Sequence, residues 1–201
     1  MRQPEDIRLL VMGEFSGVVR DAFLALGVNA MSCDLLPTER PGPHYQGDVR
    51  DILYDGWDGM IAHPSCTYLC NSGVRWLHTR PGRWADMERD AAFFKMLLNC
   101  RIPYKGIENP IPHRYALEII GRKYDQIIQP WQFGHGETKA TCLWLEGLPK
   151  LVPADVVSGR EWRIHRMSPG PNRGHERSRT YPGIARAMAA QWTPVLLAKT
   201  F

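Results

Sequence analysis

The sequence predicts an α/β chain: an open, mostly parallel sheet covered by helices on both faces. Three observations carry that prediction. Short apolar runs alternate with segments of helical periodicity, glycine or proline marks most junctions, and 201 residues at 44% hydrophobic and 23% charged suffice for one buried core. A single domain over residues 1–201 is therefore expected.

Residues 7–12 form an apolar run that stops at Gly13, and residues 18–26 follow with Val18, Val19, Ala22, Phe23 and Leu26 at helical spacing. Gly27 ends that helix, residues 28–33 read as a second strand, and residues 36–46, with Pro37, Pro41, Gly42 and Pro43, read as loop. Residues 57–62 give the next strand, stopped by Pro64. Residues 83–100 make the longest helix, with Trp84, Met87, Ala91, Phe94, Leu97 and Leu98 on one apolar face. Further strands are expected at 104–107, 126–129 and 141–145. A basic, Pro/Gly-rich arm spans 147–180, and a closing helix over 183–192 packs the chain back onto the sheet.

Composition bounds the setting. Twenty-five Lys and Arg against 21 Asp and Glu give a formal charge of +4, compatible with a polyanionic partner. No apolar run approaches the roughly 18 residues of a membrane helix, and the polar start is unlike a signal peptide, so a cytoplasmic protein without membrane contact is expected. Cys33, Cys66, Cys70, Cys100 and Cys142 are odd in number and predict reduced thiols. His63, Cys66 and Cys70 lack a clear fourth zinc ligand, and no metal is expected.

In open α/β sheets ligands bind beyond the carboxyl ends of strands. Gly13-Glu14-Phe15-Ser16-Gly17, Cys33-Asp34, Gly47-Asp48, His63-Pro64-Ser65-Cys66 and Glu108-Asn109-Pro110 all fall there. A small-residue turn opening a helix, with an acid about 20 residues on, is an arrangement that holds an adenosyl group, and Asp34 is that acid. The plain alternative is a glycine-closed turn with Asp34 as a local cap.

Taken in order, these residues resemble the DNA cytosine-5 methyltransferases. Phe15-Ser16-Gly17 matches the family's Phe-x-Gly turn, Asp34 its acid after the second strand, Gly47-Asp48 its adenine-side pair, His63-Pro64-Ser65-Cys66 its Pro-Cys loop and Glu108-Asn109 its Glu-Asn pair. Short phage and prophage methyltransferase-like chains are similar throughout. The resemblance implies a Rossmann-like S-adenosylmethionine-dependent methyltransferase fold. It also implies DNA as substrate and a cofactor held by Glu14, Phe15, Ser16, Gly17, Asp34, Asp48 and Pro64. Cys66 would add to the cytosine ring, Glu108 would stabilise the base and Asn109 would fix the loop.

The sequence departs from the family at Val19, where a second glycine is usual, and at Ser65, where a second proline is usual. The family's Gln-x-Arg-x-Arg strand is matched only by Lys139. Phosphate contacts are then expected from Arg75, Lys139, Arg173, Arg177 and Arg179. The residues after the last strand leave no space for a target-recognition domain, which implies low sequence specificity or specificity supplied by a partner protein. The competing reading is a non-catalytic protein of the same fold that binds nucleic acid, a nucleotide or a protein.

Overall fold

Alternating apolar residues thread β1 (Arg8–Met12) through the centre of the molecule, Leu9 and Val11 toward one face and Leu10 and Met12 toward the other. The computed structural model describes residues 2–168, 170 and 173–198. Beside β1 on one side lie β2 (Asn29–Asp34) and β3 (His44–Gln46). On the other side lie β4 (Gly59–Ala62) and β5 (Tyr104–Pro110), then β7 (Thr141–Glu146) and, at the edge, β6 (Gln126–Ile128). The order is β3-β2-β1-β4-β5-β7-β6. Strands β1 to β5 are parallel, whereas β7 runs antiparallel to both β5 and β6.

The helices among the described residues are α1 (Val18–Leu24), α2 (Arg83–Asn99), α3 (Arg114–Ile120), α4 (Arg163–Arg166), α5 (Arg173–Ser178) and α6 (Pro182–Leu197). Val19 and Phe23 of α1 pack with Ile184, Met188 and Trp192 of α6 on one face of the sheet. Met87, Phe94 and Leu97 of α2 pack with Ala116 and Ile120 of α3 on the other. Both faces are thus covered, as a parallel sheet requires. The sheet is the Rossmann-like α/β arrangement that the sequence predicts, and no described helix is long and apolar enough to cross a membrane.

Four expectations are corrected. The segment 36–46 is not loop throughout, because His44–Gln46 pairs with Ser32–Asp34 as the edge strand β3. Helix α3 was not expected; His113 caps it by accepting from the Ala116 amide at 3.1 Å, and Gly121 ends it in the left-handed conformation. Trp84 is 37% exposed, outside the buried stripe of α2, and meets the ring edges of His78 and Tyr115. The arm is not wholly irregular: it contains α4 and α5, with positions 169, 171 and 172 outside the described residues. Backbone bonds from Gly134 to Asp155, Val157 to Trp131 and Thr138 to Glu161 fasten the arm alongside residues 131–138.

Candidate active site

The order of strands reverses between β1 and β4, so their carboxyl ends part and open a cleft. Gly13, at φ +71°, lets the first turn pass the β4 loop: a Cβ there would lie 2.3 Å from the His63 carbonyl oxygen. The cleft, about 560 Å³, runs from Asp48 and Val49 past Asp34 and Phe15 to His63 and Ser65, with Asp90 and Phe93 of α2 on its far wall.

Of the residues expected to hold a cofactor, Phe15, Asp34 and Asp48 line this cleft. Glu14 does not: it is buried, and its carboxylate accepts from the Val19 and Arg20 amides at 2.6 and 3.0 Å, anchoring the start of α1. Ser16 turns inward to Glu14 at 3.4 Å. Gly17 is the residue before α1, at φ +70°, where a Cβ would meet the Arg20 guanidinium at 2.5 Å. Pro64 is buried outside the cleft lining and offers its carbonyl to Asn109. Val19 is likewise core, 0% exposed, on the inner face of α1.

The two acids differ in what they have free. Asp34 Oδ1 accepts from the Leu36 amide at 2.9 Å, and Oδ2 makes no hydrogen bond among the described residues. Asp48 is engaged by the Arg50 side chain and amide, which hold its carboxyl down at about 2. Between them Cys33 is driven up to about 11 by burial and then by Asp34.

Next to the cleft, Asn109 donates to the Pro64 carbonyl at 2.9 Å and His63 Nδ1 meets Glu108 Oε2 at 3.0 Å, so β5 grips the loop that carries Cys66. Burial works to raise the Glu108 carboxyl, but the His63 bond and the charges of His63 and Lys139 outweigh it and leave it below its usual range. Cys66 and Cys70 stand one turn apart, joined by the Cys70 amide to the Cys66 carbonyl at 3.2 Å. The adjacent Cys66, the Ser72 hydroxyl at 3.1 Å and nearby amides draw Cys70 down to about 5. The neighbouring Cys70, together with burial, pushes the Cys66 thiol up. Glu108 and Lys139 act electrostatically on Cys66.

The cations expected at phosphates are distributed unevenly. Arg75 is exposed and lies over the Trp76 ring at 4.3 Å, with Arg80 over the same ring at 4.0 Å. Lys139 is half-buried and donates to the Arg177 carbonyl at 2.7 Å. Arg173 donates to the Met167 carbonyl at 3.0 Å, and Arg179 pairs with Glu39 at 2.6 Å. Arg177 is half-buried in α5. The arm therefore lies over the site: His175 stacks on Phe15 at 4.2 Å and bonds Glu39 at 2.6 Å, and Ser178 reaches the cleft wall.

The sequence shows His63 only as the head of a motif, whereas the structure places it among the residues lining the cleft. Phe93 and Asp90 were assigned to a helix without a site role; their position at the β4 end of the cleft depends on where α2 packs.

No protein-family model and no curated protein sequence matches the chain. Its fold is similar to a prophage-encoded Escherichia coli protein described as a DNA modification methyltransferase, with TM-score 0.48, 12% identity, and coverage of 75% of this chain and 52% of that one. It is also similar to the Entamoeba histolytica methyltransferase EhMeth, with TM-score 0.47, 13% identity, and coverage of 78% and 58%. For the S. pombe Dnmt2 methyltransferase the values are 0.42, 15%, 79% and 53%. The chain thus spans between 52% and 58% of the length of these three structures.

Proposed function

We propose that the chain is a DNA methyltransferase that uses S-adenosylmethionine to methylate cytosine at carbon-5, with Cys66 as the nucleophile. One observation carries this reading: Glu108 and Asn109 of β5 both bond the loop that carries Cys66, through the His63–Glu108 and Asn109–Pro64 hydrogen bonds. The residues fit the cofactor. The cleft volume lies within the range of about 300–1,000 Å³ usual for such sites, Asp34 has Oδ2 free for a ribose hydroxyl, and Phe15 gives an apolar wall. When bound there, S-adenosylmethionine supplies the electrophilic methyl group.

The chain's own residues do the rest. Cys66 Sγ adds to the ring carbon next to carbon-5, which turns carbon-5 into a nucleophile. The Cys66 thiol gives its proton to solvent as Sγ bonds to the ring. Glu108 accepts from the exocyclic amine of the base, and Asn109 keeps the loop in register with β5. Arg75, exposed above Trp76, is placed for a phosphate, with sequence specificity low or supplied by a partner protein.

DNA carrying 5-fluorocytosine tests this reading, because it halts the reaction at the covalent stage. With S-adenosylmethionine present the protein is expected to form an adduct stable to denaturation, and Cys66→Ser to form none. An adduct that survives Cys66→Ser and disappears in Cys70→Ser would move the nucleophile to Cys70. The raised Cys66 thiol favours one second reading, a non-catalytic binder of nucleic acid or nucleotide on this fold. Cofactor binding without adduct or methyl transfer would establish it.

A further inference from the structure

We infer that His63 joins the cleft to Glu108, so that ligand in the cleft and the hydrogen bonding of Glu108 are thermodynamically linked. The His63 side chain is only 8% exposed, yet it stands in the cleft wall. Its Nδ1 meets Glu108 Oε2 at 3.0 Å, while Nε2 is buried and has no hydrogen-bond partner among the described residues. A buried polar atom left unpaired is destabilising, and a small turn of the ring that opens Nε2 to the cleft lets a polar group of a ligand satisfy it.

Proton bookkeeping fixes the direction of the link. A carboxylate only accepts, so Nδ1 carries the proton given to Glu108, and Nε2 accepts in the neutral ring or donates in the charged one. Either way one imidazole serves both sites once Nε2 meets a ligand, and a bond at one nitrogen polarises the bond at the other. Glu108 itself does not line the cleft, so its influence on a cleft ligand runs through this ring.

The sheet order says which end of the ligand is met. Asp48 follows β3, Asp34 ends β2, Gly13 follows β1 and His63 follows β4, so these groups stand in a row along the cleft. A nucleoside with its ribose on Asp34 extends its 5′ substituent toward His63. For S-adenosylmethionine that substituent carries the α-amino acid group, which has both a donor and an acceptor for Nε2. The inference rests on the cofactor reading above and adds to it a role for His63, which that reading leaves without one.

Calorimetry on the intact protein tests the link without catalysis, using S-adenosylhomocysteine and 5′-methylthioadenosine, which lacks the amino acid group. Glu108→Gln is expected to weaken S-adenosylhomocysteine by about fivefold or more, the scale of a typical coupling, and to leave methylthioadenosine unchanged. His63→Asn keeps an amide near Nδ1 and removes Nε2, whereas His63→Gln does the reverse. In either background Glu108→Gln is expected to lose its effect, with thermal unfolding confirming that each variant is folded. An equal effect of Glu108→Gln with and without His63, or none in the parent protein, overturns the link. Equal effects on both ligands overturn the assignment of the amino acid end. No S-adenosylhomocysteine binding by the parent overturns the cofactor reading, and the link falls with it.

Discussion

Asn109 holds Pro64: its Nδ2 donates to the Pro64 carbonyl oxygen at 2.9 Å, from a side chain that is 1% exposed. Strand β5 and the Cys66 loop thereby share one buried hydrogen bond. Asn109→Ala removes the donor and leaves that carbonyl unpaired, at a cost of about 1–3 kcal/mol. Chemical denaturation should report that loss, and the fluorocytosine adduct should form more slowly than in the parent protein.

Asp34 offers a single free oxygen to a ligand. Asp34→Ala should weaken S-adenosylhomocysteine by about 1.5–3 kcal/mol, the worth of a hydrogen bond to a charged group. Calorimetry measures it directly, and an unchanged affinity would remove Asp34 from the ribose position.

Cys70 should react first with a small haloacetamide. A thiol drawn down from 9.0 to about 5 is half thiolate near pH 5, so its alkylation rate should rise through that pH and level off well before pH 9. Cys66, pushed the other way, should label slowly at neutral pH. Mass spectrometry of the digested protein distinguishes the two, and Ser72→Ala should shift the Cys70 midpoint upward.

Glu39 clasps the arm through His175 and Arg179. Glu39→Ala should release α5 and speed tryptic cleavage after Arg173, Arg177 and Arg179. A digestion time course on gels reads the change, and equal rates in the two proteins would mean that the remaining contacts, among them the Phe15–His175 stack and the Lys139–Arg177 bond, suffice to hold the arm.

Arg75 and Arg80 flank one indole without an ion pair among the described residues. If both meet phosphates, Arg75→Ala with Arg80→Ala should weaken all DNA sequences alike and reduce the slope of log affinity against log salt by roughly 2. Replacing Arg173 and Arg179 is a poorer probe, because those side chains already serve the arm's own contacts.

The central strands and α2 were legible because buried β-branched runs and an apolar helical stripe are local signals. Strand β3 was not, since three residues after Pro41-Gly42-Pro43 acquire strand geometry only by pairing with β2. The reversal of β7 was equally hidden, because periodicity tells which face a residue takes but not which way the strand runs. Within the site, spacing located Phe15, Asp34 and Asp48 at strand ends. It could not tell that Glu14 bends back to the α1 amides, or that Lys139 is used by the Arg177 carbonyl. Those outcomes depend on partners far along the chain.

The reversal of β7 also decides where this protein can be altered from outside. Because β7 enters beside Pro110 and leaves beside Lys105, it delivers Lys139 and Thr141 to the Glu108 end of the sheet, while residues 146–150 emerge at the opposite rim. The chain then returns along residues 131–138 before reaching Phe15, so the path is stapled along its way. Exposed Lys150, at that opposite rim, is therefore a natural point for inserting a fluorescent or affinity tag. The reporter would face away from the cleft, and the staples downstream would keep the arm at its present reach.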